Sequence, residues 1–250
     1  MYLYGRNVLQ EMIESNNYSN IKRIFISDSA KGNIDKLKRL LDKKGVKYSL
    51  TQVKVIDKLI GKNVPHQGVL IDLKEFEYHS IESLIKITEK KEISHIMVLD
   101  QIQDPHNLGA IIRSAYGSDS DGIVILKNNC AEVTPAVIKV STGLAFKIPI
   151  VQESNMINVI NKLKDAGFWI YGADMGGKPY PEVEYYKKSA IIMGNEGSGI
   201  RKLVRENCDE ILSIPMKNGT DSLNVSVSAG IICFSIYEQR KYGFIPKSGV

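Results

Sequence analysis

The sequence has few cysteines, no long apolar segment and no repeated or low-complexity tract. Only 3 cysteines occur in 250 residues, and no two form a Cys-x-x-Cys pair, which argues against a disulfide framework or a structural zinc site. The longest uncharged apolar stretch, 223–237, is interrupted by asparagine, serine and glycine, so we expect no membrane span. Residues 1–10 lack the apolar core of a secretory signal, and we therefore expect a cytoplasmic protein.

Signatures of several common enzyme classes are also missing. The 4 histidines show no metal-ligand spacing, so no metal site is predicted. Neither Gly-x-Gly-x-x-Gly nor Gly-x-Ser-x-Gly occurs, which argues against a Rossmann dinucleotide site and a serine hydrolase. Gly172 to Lys178 fits Gly-x4-Gly-Lys, but Pro179 replaces the hydroxyl that would bind Mg²⁺. We interpret this segment as a glycine-rich surface turn and exclude a P-loop phosphotransferase.

Charge is distributed unevenly along the chain. The whole sequence contains 33 basic and 28 acidic side chains, a net charge of +5. Residues 1–78 contain 14 Lys and Arg against 9 Asp and Glu, so the entire excess lies in this part. A basic module is suited to binding nucleic acid, because lysine and arginine displace condensed counterions from phosphates. The alternative, which charge alone slightly favours, is a solvated lysine-rich helix face.

The first 75 residues have the pattern of a small α/β domain. Segments rich in β-branched and aromatic side chains favour strands, and apolar residues at helical spacing favour helices. The strands are predicted over 21–26, 46–50 and 69–73, and the helices over 34–41 and 55–60. Residues 76–94 are strongly charged with an amphipathic centre, which indicates a linker that contains a helix.

From residue 95 the pattern changes to short, almost continuous apolar runs. Such runs are typical of strands buried on both faces, and helical segments alternate with them. The strands are predicted over 96–99, 123–126, 168–171 and 190–193, and the helices over 108–116, 156–166, 200–207 and 229–240. This alternation predicts a doubly wound, mostly parallel α/β sheet in a second domain, residues 95–250.

Two segments of the second domain place polar residues just after predicted strands. Asn107 and Arg113 follow the strand at 96–99, beyond the carboxyl end where open α/β sheets bind ligands. Taken alone, Arg113 is better explained as a side chain whose aliphatic stem covers apolar surface. Glu196 lies among the glycines of 194–199, which permit close approach of a ligand to the backbone but equally suit a tight turn.

A third segment alternates asparagine and serine with apolar residues although a helix follows it. Conflict between a local pattern and the predicted element often marks a functional site. Ser222 is expected to cap the helix, and Asn224 in its first turn would present an amide to a ligand. Tight packing of small residues against the sheet is the other interpretation, and both roles are compatible.

Together, in order and spacing, these segments resemble the three motifs of the SpoU (TrmH-type) RNA 2′-O-methyltransferases. The motifs are 104–115, 192–197 and 214–226, and the resemblance covers about residues 95–241. In the first domain, Gly5-Arg-Asn-Val and His66-Gln-Gly-Val resemble the L30e-like RNA-binding domain of the 23S rRNA guanosine 2′-O-methyltransferase (RlmB-like) branch.

The resemblance implies S-adenosylmethionine as methyl donor and no metal. It also implies an L30e-like RNA-binding domain (1–75), a SPOUT-type domain with a deep trefoil knot (95–250), and a homodimer formed through the latter. By position it assigns catalytic roles to Asn107, Arg113, Glu196, Ser222 and Asn224. It assigns donor binding to Gly194, Asn195, Gly197, Ile214, Met216, Leu223, Thr142 and Gly143. Phe146 departs from the pattern, since close relatives usually carry Glu there.

The expected reaction is methyl transfer to a ribose 2′-hydroxyl, with a guanosine of 23S rRNA as the expected target. Arg113 is expected to hold the adjacent phosphate and stabilise the developing alkoxide, because a guanidinium stays protonated and is a poor base. Glu196 is expected to orient Asn107 or the ribose. A tRNA ribose methyltransferase would share all three motifs, whereas a non-catalytic RNA-binding assembly factor would have lost motif residues.

Overall fold

The computed structural model describes residues 1–30, 32–217 and 222–243. The strands are β1 (Tyr2–Tyr4), β2 (Ile21–Ser27), β3 (Ser49–Thr51), β4 (Val69–Leu73), β5 (Ser94–Leu99), β6 (Gly122–Leu126), β7 (Ile150–Glu153), β8 (Trp169–Pro179), β9 (Lys188–Met193) and β10 (Glu210–Ser213). The helices are α1 (Arg6–Glu14), α2 (Ile34–Lys43), α3 (Val53–Ile60), α4 (Ile81–Glu89), α5 (Pro105–Gly117), α6 (Pro135–Val140), α7 (Met156–Asp165), α8 (Lys202–Glu206) and α9 (Val225–Tyr242). Two 3-10 turns lie at Leu144–Phe146 and Tyr180–Glu182.

Contacts divide the chain into two compact units. The first comprises Met1–Glu77 and Val133–Lys147, and the second comprises Tyr78–Glu132 and Ile148–Val250. The sequence placed residues 133–147 in the second domain, so the structure differs there. The local sequence pattern does not show that residues 133–147 pack in the first unit, because a helix of one unit and a helix of the other look alike in sequence.

The first unit is built on a four-stranded sheet in the order β1-β4-β2-β3. β4 runs antiparallel to β1 and β2, while β3 runs parallel to β2. The buried residues Leu9, Met12 and Ile13 of α1 contribute to its core. β3 starts later than the predicted strand at 46–50, because residues 44–46 still hydrogen-bond to the last turn of α2.

The segment 133–147 packs within the first unit. Gly143 has a φ of +89°, and a side chain there would lie 3.1 Å from the side chain of Glu11 and 3.2 Å from the backbone of Val8. Phe146 is buried, and its ring centroid lies 5.6 Å from that of Phe76. Phe146 therefore has a packing role in this unit.

The second unit contains a six-stranded sheet in the order β10-β8-β9-β5-β6-β7, and every strand pair is parallel. All residues of β5 and β6 are buried, as expected for strands covered on both faces. The predicted α/β class and mostly parallel sheet are confirmed. In the described part of the chain, no helix has the length and apolarity needed to cross a membrane.

The glycine-rich segment 172–178 is part of strand β8, which corrects its interpretation as a surface turn. Gly172 pairs with Ile211 of β10, and Lys178 pairs with the next residue of β10, Leu212. Residues 173–177 therefore bulge out of the ladder with β10. A side chain at Gly177 would lie 2.6 Å from the backbone of Ile211. Glycine is therefore needed at residue 177, just before β8 resumes its pairing with β10.

A buried polar cluster lies at the amino end of β5. The carboxylate of Asp121 accepts hydrogen bonds from the hydroxyl of Ser94 (2.6 Å) and the backbone N–H of His95 (2.9 Å). His95 is only 1% exposed, and neither ring nitrogen has a hydrogen-bond partner among the described residues. Burial lowers the pKa of His95 to about 3, and the nearby positive charge of Arg240 adds to this effect.

We predict that His95 makes the folded protein sensitive to mild acid. Between the folded-state pKa of about 3 and the ordinary value of 6.5, only the unfolded chain takes up the proton, so stability falls as pH falls. The expected loss from His95 is at most about 1.4 kcal/mol for each pH unit below about 6. Urea unfolding of the wild type and of His95→Phe between pH 7 and 5 measures it. Equal pH slopes for the two proteins would contradict the prediction.

Candidate functional site

A cleft of about 440 Å³ opens at the carboxyl ends of β9 and β10, beside the middle of β8, in the second unit. This is the edge at which open α/β sheets bind ligands. Its wall is formed by parts of these strands, the loop after β9 and the first turns of α9. Of the predicted residues, the cleft is lined by Gly194, Asn195, Glu196, Gly197, Ile214, Met216, Ser222 and Leu223.

The loop 194–199 brings the backbone to the cleft surface. Asn195 and Gly199 exchange backbone hydrogen bonds of 3.0 and 2.9 Å, and the Asn195 side chain accepts from the N–H of Gly197 at 2.9 Å. A side chain at Gly194 would lie only 2.2 Å from the carbonyl carbon of Gly199. Gly194 is therefore required by close approach of the backbone on both sides of the loop.

Three predicted catalytic side chains form a continuous hydrogen-bonded chain. The side-chain amide of Asn224 donates to Oδ1 of Asn107 at 3.0 Å. The amide of Asn107 in turn donates to Oε1 of Glu196 at 2.5 Å. Asn107 is buried in the first turn of α5, whereas Glu196 is exposed at the tip of its loop. The chain therefore ends on a carboxylate that is open to solvent.

The start of helix α9 fixes the direction of this chain. Asn224, not Ser222, is the N-cap of α9, which corrects the expected capping residue. Its Oδ1 accepts from the N–H and the hydroxyl of Ser226, at 2.9 and 2.6 Å. Because Oδ1 is used by the cap, the NH2 group must face Asn107, whose own NH2 must then face Glu196.

The structure leaves the remaining predicted residues outside this chain. Ser222 is exposed on the cleft wall. Arg113 is exposed on α5 and forms no hydrogen bond or ion pair with any described residue. Thr142 and Gly143 were expected to bind the donor, but they belong to the first unit and are not among the residues that line the cleft. Their packing beside α1 explains the left-handed glycine without a ligand.

The sequence did not predict that the bulge of β8 forms part of the cleft wall. Ala173, Asp174 and Met175 line the cleft, and the carboxylate of Asp174 pairs with the guanidinium of Arg205. The glycines that flank these residues were a signal of irregular backbone. Their interpretation required the pairing register with β10, which no local pattern contains. In the described ranges, no group of three or more His, Cys, Asp or Glu side chains could hold a metal ion.

Comparison with known proteins identifies the family. The model described as SpoU rRNA Methylase family matches residues 94–234. The chain belongs to the SpoU rRNA methylase family. Residues 2–79 match a second model, described as RNA 2′-O ribose methyltransferase substrate binding.

Curated relatives of this SpoU family member span nearly the whole chain. A TrmH family tRNA/rRNA methyltransferase of Staphylococcus saprophyticus is 33% identical over 96% of this chain and 96% of its own length. YacO of Bacillus subtilis, named in the same way, is 31% identical over 96% of each chain. The chain is therefore an RNA methyltransferase of the TrmH/SpoU family.

Solved structures share the fold of this SpoU protein at low sequence identity. An AdoMet-bound rRNA methyltransferase from Sinorhizobium meliloti has a TM-score of 0.78 at 22% identity and covers 96% of this chain and 87% of its own. AviRb from Streptomyces viridochromogenes, a SpoU methyltransferase in complex with AdoMet, has a TM-score of 0.80 at 19% identity, over 96% and 90%. These similarities confirm the SpoU-type fold class.

The cleft fits S-adenosylmethionine by its own geometry. All six residues of the loop 194–199 line the cleft, where an adenosine portion would contact them. Leu223 adds apolar surface, and Glu196 places an exposed carboxylate in the wall. Carboxylates are suitable neighbours for a sulfonium cation because opposite charges attract.

We predict that Asn224→Asp slows methyl transfer without unfolding the protein. Aspartate keeps the helix cap but cannot donate to Asn107, so the orientation of the Asn107 amide toward Glu196 is lost. Loss of this contact is expected to lower the transfer rate at least about tenfold. Methyl-transfer assays measure the rate, and thermal unfolding checks the fold. A variant that turns over as fast as the wild type would show that the hydrogen bond from Asn224 to Asn107 is dispensable.

Proposed function

We propose that this enzyme transfers the methyl group of S-adenosylmethionine to a ribose 2′-hydroxyl of RNA, with a guanosine of 23S rRNA as the target. The observation that supports this most is the Asn224–Asn107–Glu196 hydrogen-bonded chain, which ends at the 440 Å³ cleft that we call the donor cleft. Side-chain amides orient a hydroxyl group without forming a covalent intermediate, and the carboxylate of Glu196 is engaged by the amide of Asn107. Direct transfer between two positioned substrates is therefore the chemistry that this array serves best.

In the proposed reaction, S-adenosylmethionine supplies an activated methyl group and leaves as S-adenosylhomocysteine. The ribose O2′ forms the new bond to the methyl carbon as the carbon–sulfur bond breaks. The O2′ proton passes to a phosphate oxygen or to water. The work left to the protein is to align the hydroxyl and to stabilise negative charge on O2′.

Each motif residue has a proposed role in that alignment. Glu196 accepts a hydrogen bond from the ribose or holds Asn107 against it, while Ser222 and Asn224 contact the nucleotide and the donor. Arg113, exposed and without a described partner, binds the adjacent phosphate and stabilises the developing alkoxide. The donor's adenosine portion contacts the backbone in a set of cleft residues: Gly194, Asn195, Gly197, Ile214, Met216 and Leu223.

The first unit is proposed to bind the RNA. The substrate-binding family model covers residues 2–79, and the net positive charge lies in nearly the same range. Electrostatic contact with phosphates supplies much of the affinity for RNA and steers its approach. The proposal also includes a trefoil-knotted second domain, a homodimer formed through that domain and a cytoplasmic location. A stable monomer by mass measurement in solution would contradict the dimer.

We predict that the enzyme adds alkali-resistant 2′-O-methyl linkages to rRNA. The enzyme is incubated with radiolabelled S-adenosylmethionine and either unmodified 23S rRNA or unmodified tRNA, and the alkali-resistant dinucleotides are mapped. A labelled guanosine linkage in 23S rRNA is the expected product. Label in tRNA alone would replace the rRNA proposal with a tRNA one. Donor binding with no 2′-O-methyl product in either RNA would rule out the ribose reaction.

We also predict that Arg113→Lys lowers turnover about a hundredfold at saturating RNA. Lysine keeps the charge but loses the planar, two-pronged geometry that holds a phosphate and a developing alkoxide together. Donor affinity, measured by calorimetry, and the free energy of unfolding should not change, because Arg113 is exposed and has no partner in the described chain. Near-normal turnover would exclude the two-pronged role.

A further inference from the structure

A second cleft, of about 350 Å³, opens beside the donor cleft in the same unit. It lies at the carboxyl ends of β6 and β7, whereas the donor cleft lies at those of β9 and β10. Its polar wall includes Gln101, Asn128, Asn129, Asn155 and Arg201. None of these residues has a role in the function proposed above.

The two clefts share a wall. The side-chain amide of Asn195, which lines the donor cleft, donates to the backbone carbonyl of Gln101 in the second cleft at 3.0 Å. Asn195 directly precedes Glu196, where the hydrogen-bonded chain ends. A substrate whose ribose lies at Glu196 therefore has the second cleft as a neighbour.

The second cleft has little net charge. Among the described residues that line it there is no lysine, aspartate or glutamate, and Arg201 is the one cation. The guanidinium of Arg201 is held by the buried carboxylate of Asp100, with Nη2 at 2.6 Å and Nε at 3.0 Å from Oδ1. Because this pair neutralises the charge, Arg201 offers no uncompensated cation to a phosphate.

The rest of the lining combines amides with apolar surface. Asn128 and Asn129 are exposed, and their side-chain amides hydrogen-bond to no described residue. Of the apolar lining residues, Leu126 and Met156 are buried and Leu203 is 60% exposed. An uncharged ring with donors and acceptors on its edge matches such a lining, because an amide offers both a donor and an acceptor.

We propose that the second cleft binds an unpaired nucleobase of the RNA substrate, so that the strand is held on both sides of the shared wall. The ring packs on the exposed side chain of Leu203, next to the largely buried Leu126 and Met156, and its edge meets the amides of Asn128 and Asn129. This inference rests on the proposed function, since it takes RNA as the substrate. The volume lies in the range of small-molecule pockets.

The first test measures binding directly with the wild-type protein. Protein labelled with ¹⁵N-asparagine is saturated with S-adenosylmethionine, so that the donor cleft is occupied. The four nucleoside 5′-monophosphates are then titrated in turn, with inorganic phosphate as a separate arm. At least one nucleotide should shift the side-chain amide signals of Asn128 and Asn129, whereas the exposed Asn161 of α7 should not respond. No shift with any nucleotide, or equal shifts with phosphate, would overturn the proposal.

The second test uses the double variant Asn128→Ala/Asn129→Gly. Glycine is chosen because residue 129 has a φ of +56°, which alanine would adopt only with strain. The KM for RNA should rise about tenfold, while kcat and donor affinity stay within about twofold. Asn161→Ala is the matched control and should leave all three values unchanged. An unchanged KM in the double variant would contradict the proposal.

The two tests separate this inference from the function on which it rests. If the wild type transfers no methyl group to RNA, the proposed function fails, and nucleotide titration still decides whether the second cleft binds bases. If the wild type methylates RNA but neither test responds, the second cleft alone is rejected.

Discussion

The direction of one side-chain amide governs the geometry of the candidate site. The side-chain oxygen Oδ1 of Asn224 accepts the capping hydrogen bond of helix α9, so the side-chain NH2 group of Asn224 faces Asn107. Each amide has one acceptor end and one donor end, and the first assignment therefore fixes the next. As a result, a helix terminus determines which group of Asn107 faces Glu196. Stability of the helix and orientation of the site depend on the same hydrogen bonds.

The parallel sheet provides the frame that makes this arrangement possible. All carboxyl ends lie at one edge, so the loops after β5 and β9 and the segment after β10 meet there. The order of strands places β9 beside β5, which brings the loop carrying Glu196 next to the helix carrying Asn107. The shared wall between the two clefts, where Asn195 meets Gln101, lies at the same junction.

Much of the fold could be predicted from local pattern, and the errors have identifiable causes. The buried strands β5, β6 and β9 were predicted because continuous apolar runs are typical of strands covered on both faces. Residues 173–177 were misread because a bulge depends on pairing with β10, which lies more than thirty residues further along the chain. Residues 133–147 were assigned to the other unit because helical periodicity does not show which core a helix packs against.

The sequence by itself determined the α/β class, the buried strands and the residue types available at the motifs. These follow from periodicity and residue preference, which act over a few positions. Tertiary structure alone decided that Asn107 meets Glu196 across 89 positions and Asn224 across 117. It also decided that Asn224 rather than Ser222 caps α9, and that Gly143 packs on α1. Such contacts depend on strand order and backbone direction, which local sequence pattern does not contain. The scarcity of cysteine and histidine argued against disulfides and metal sites, but it could not locate the functional site.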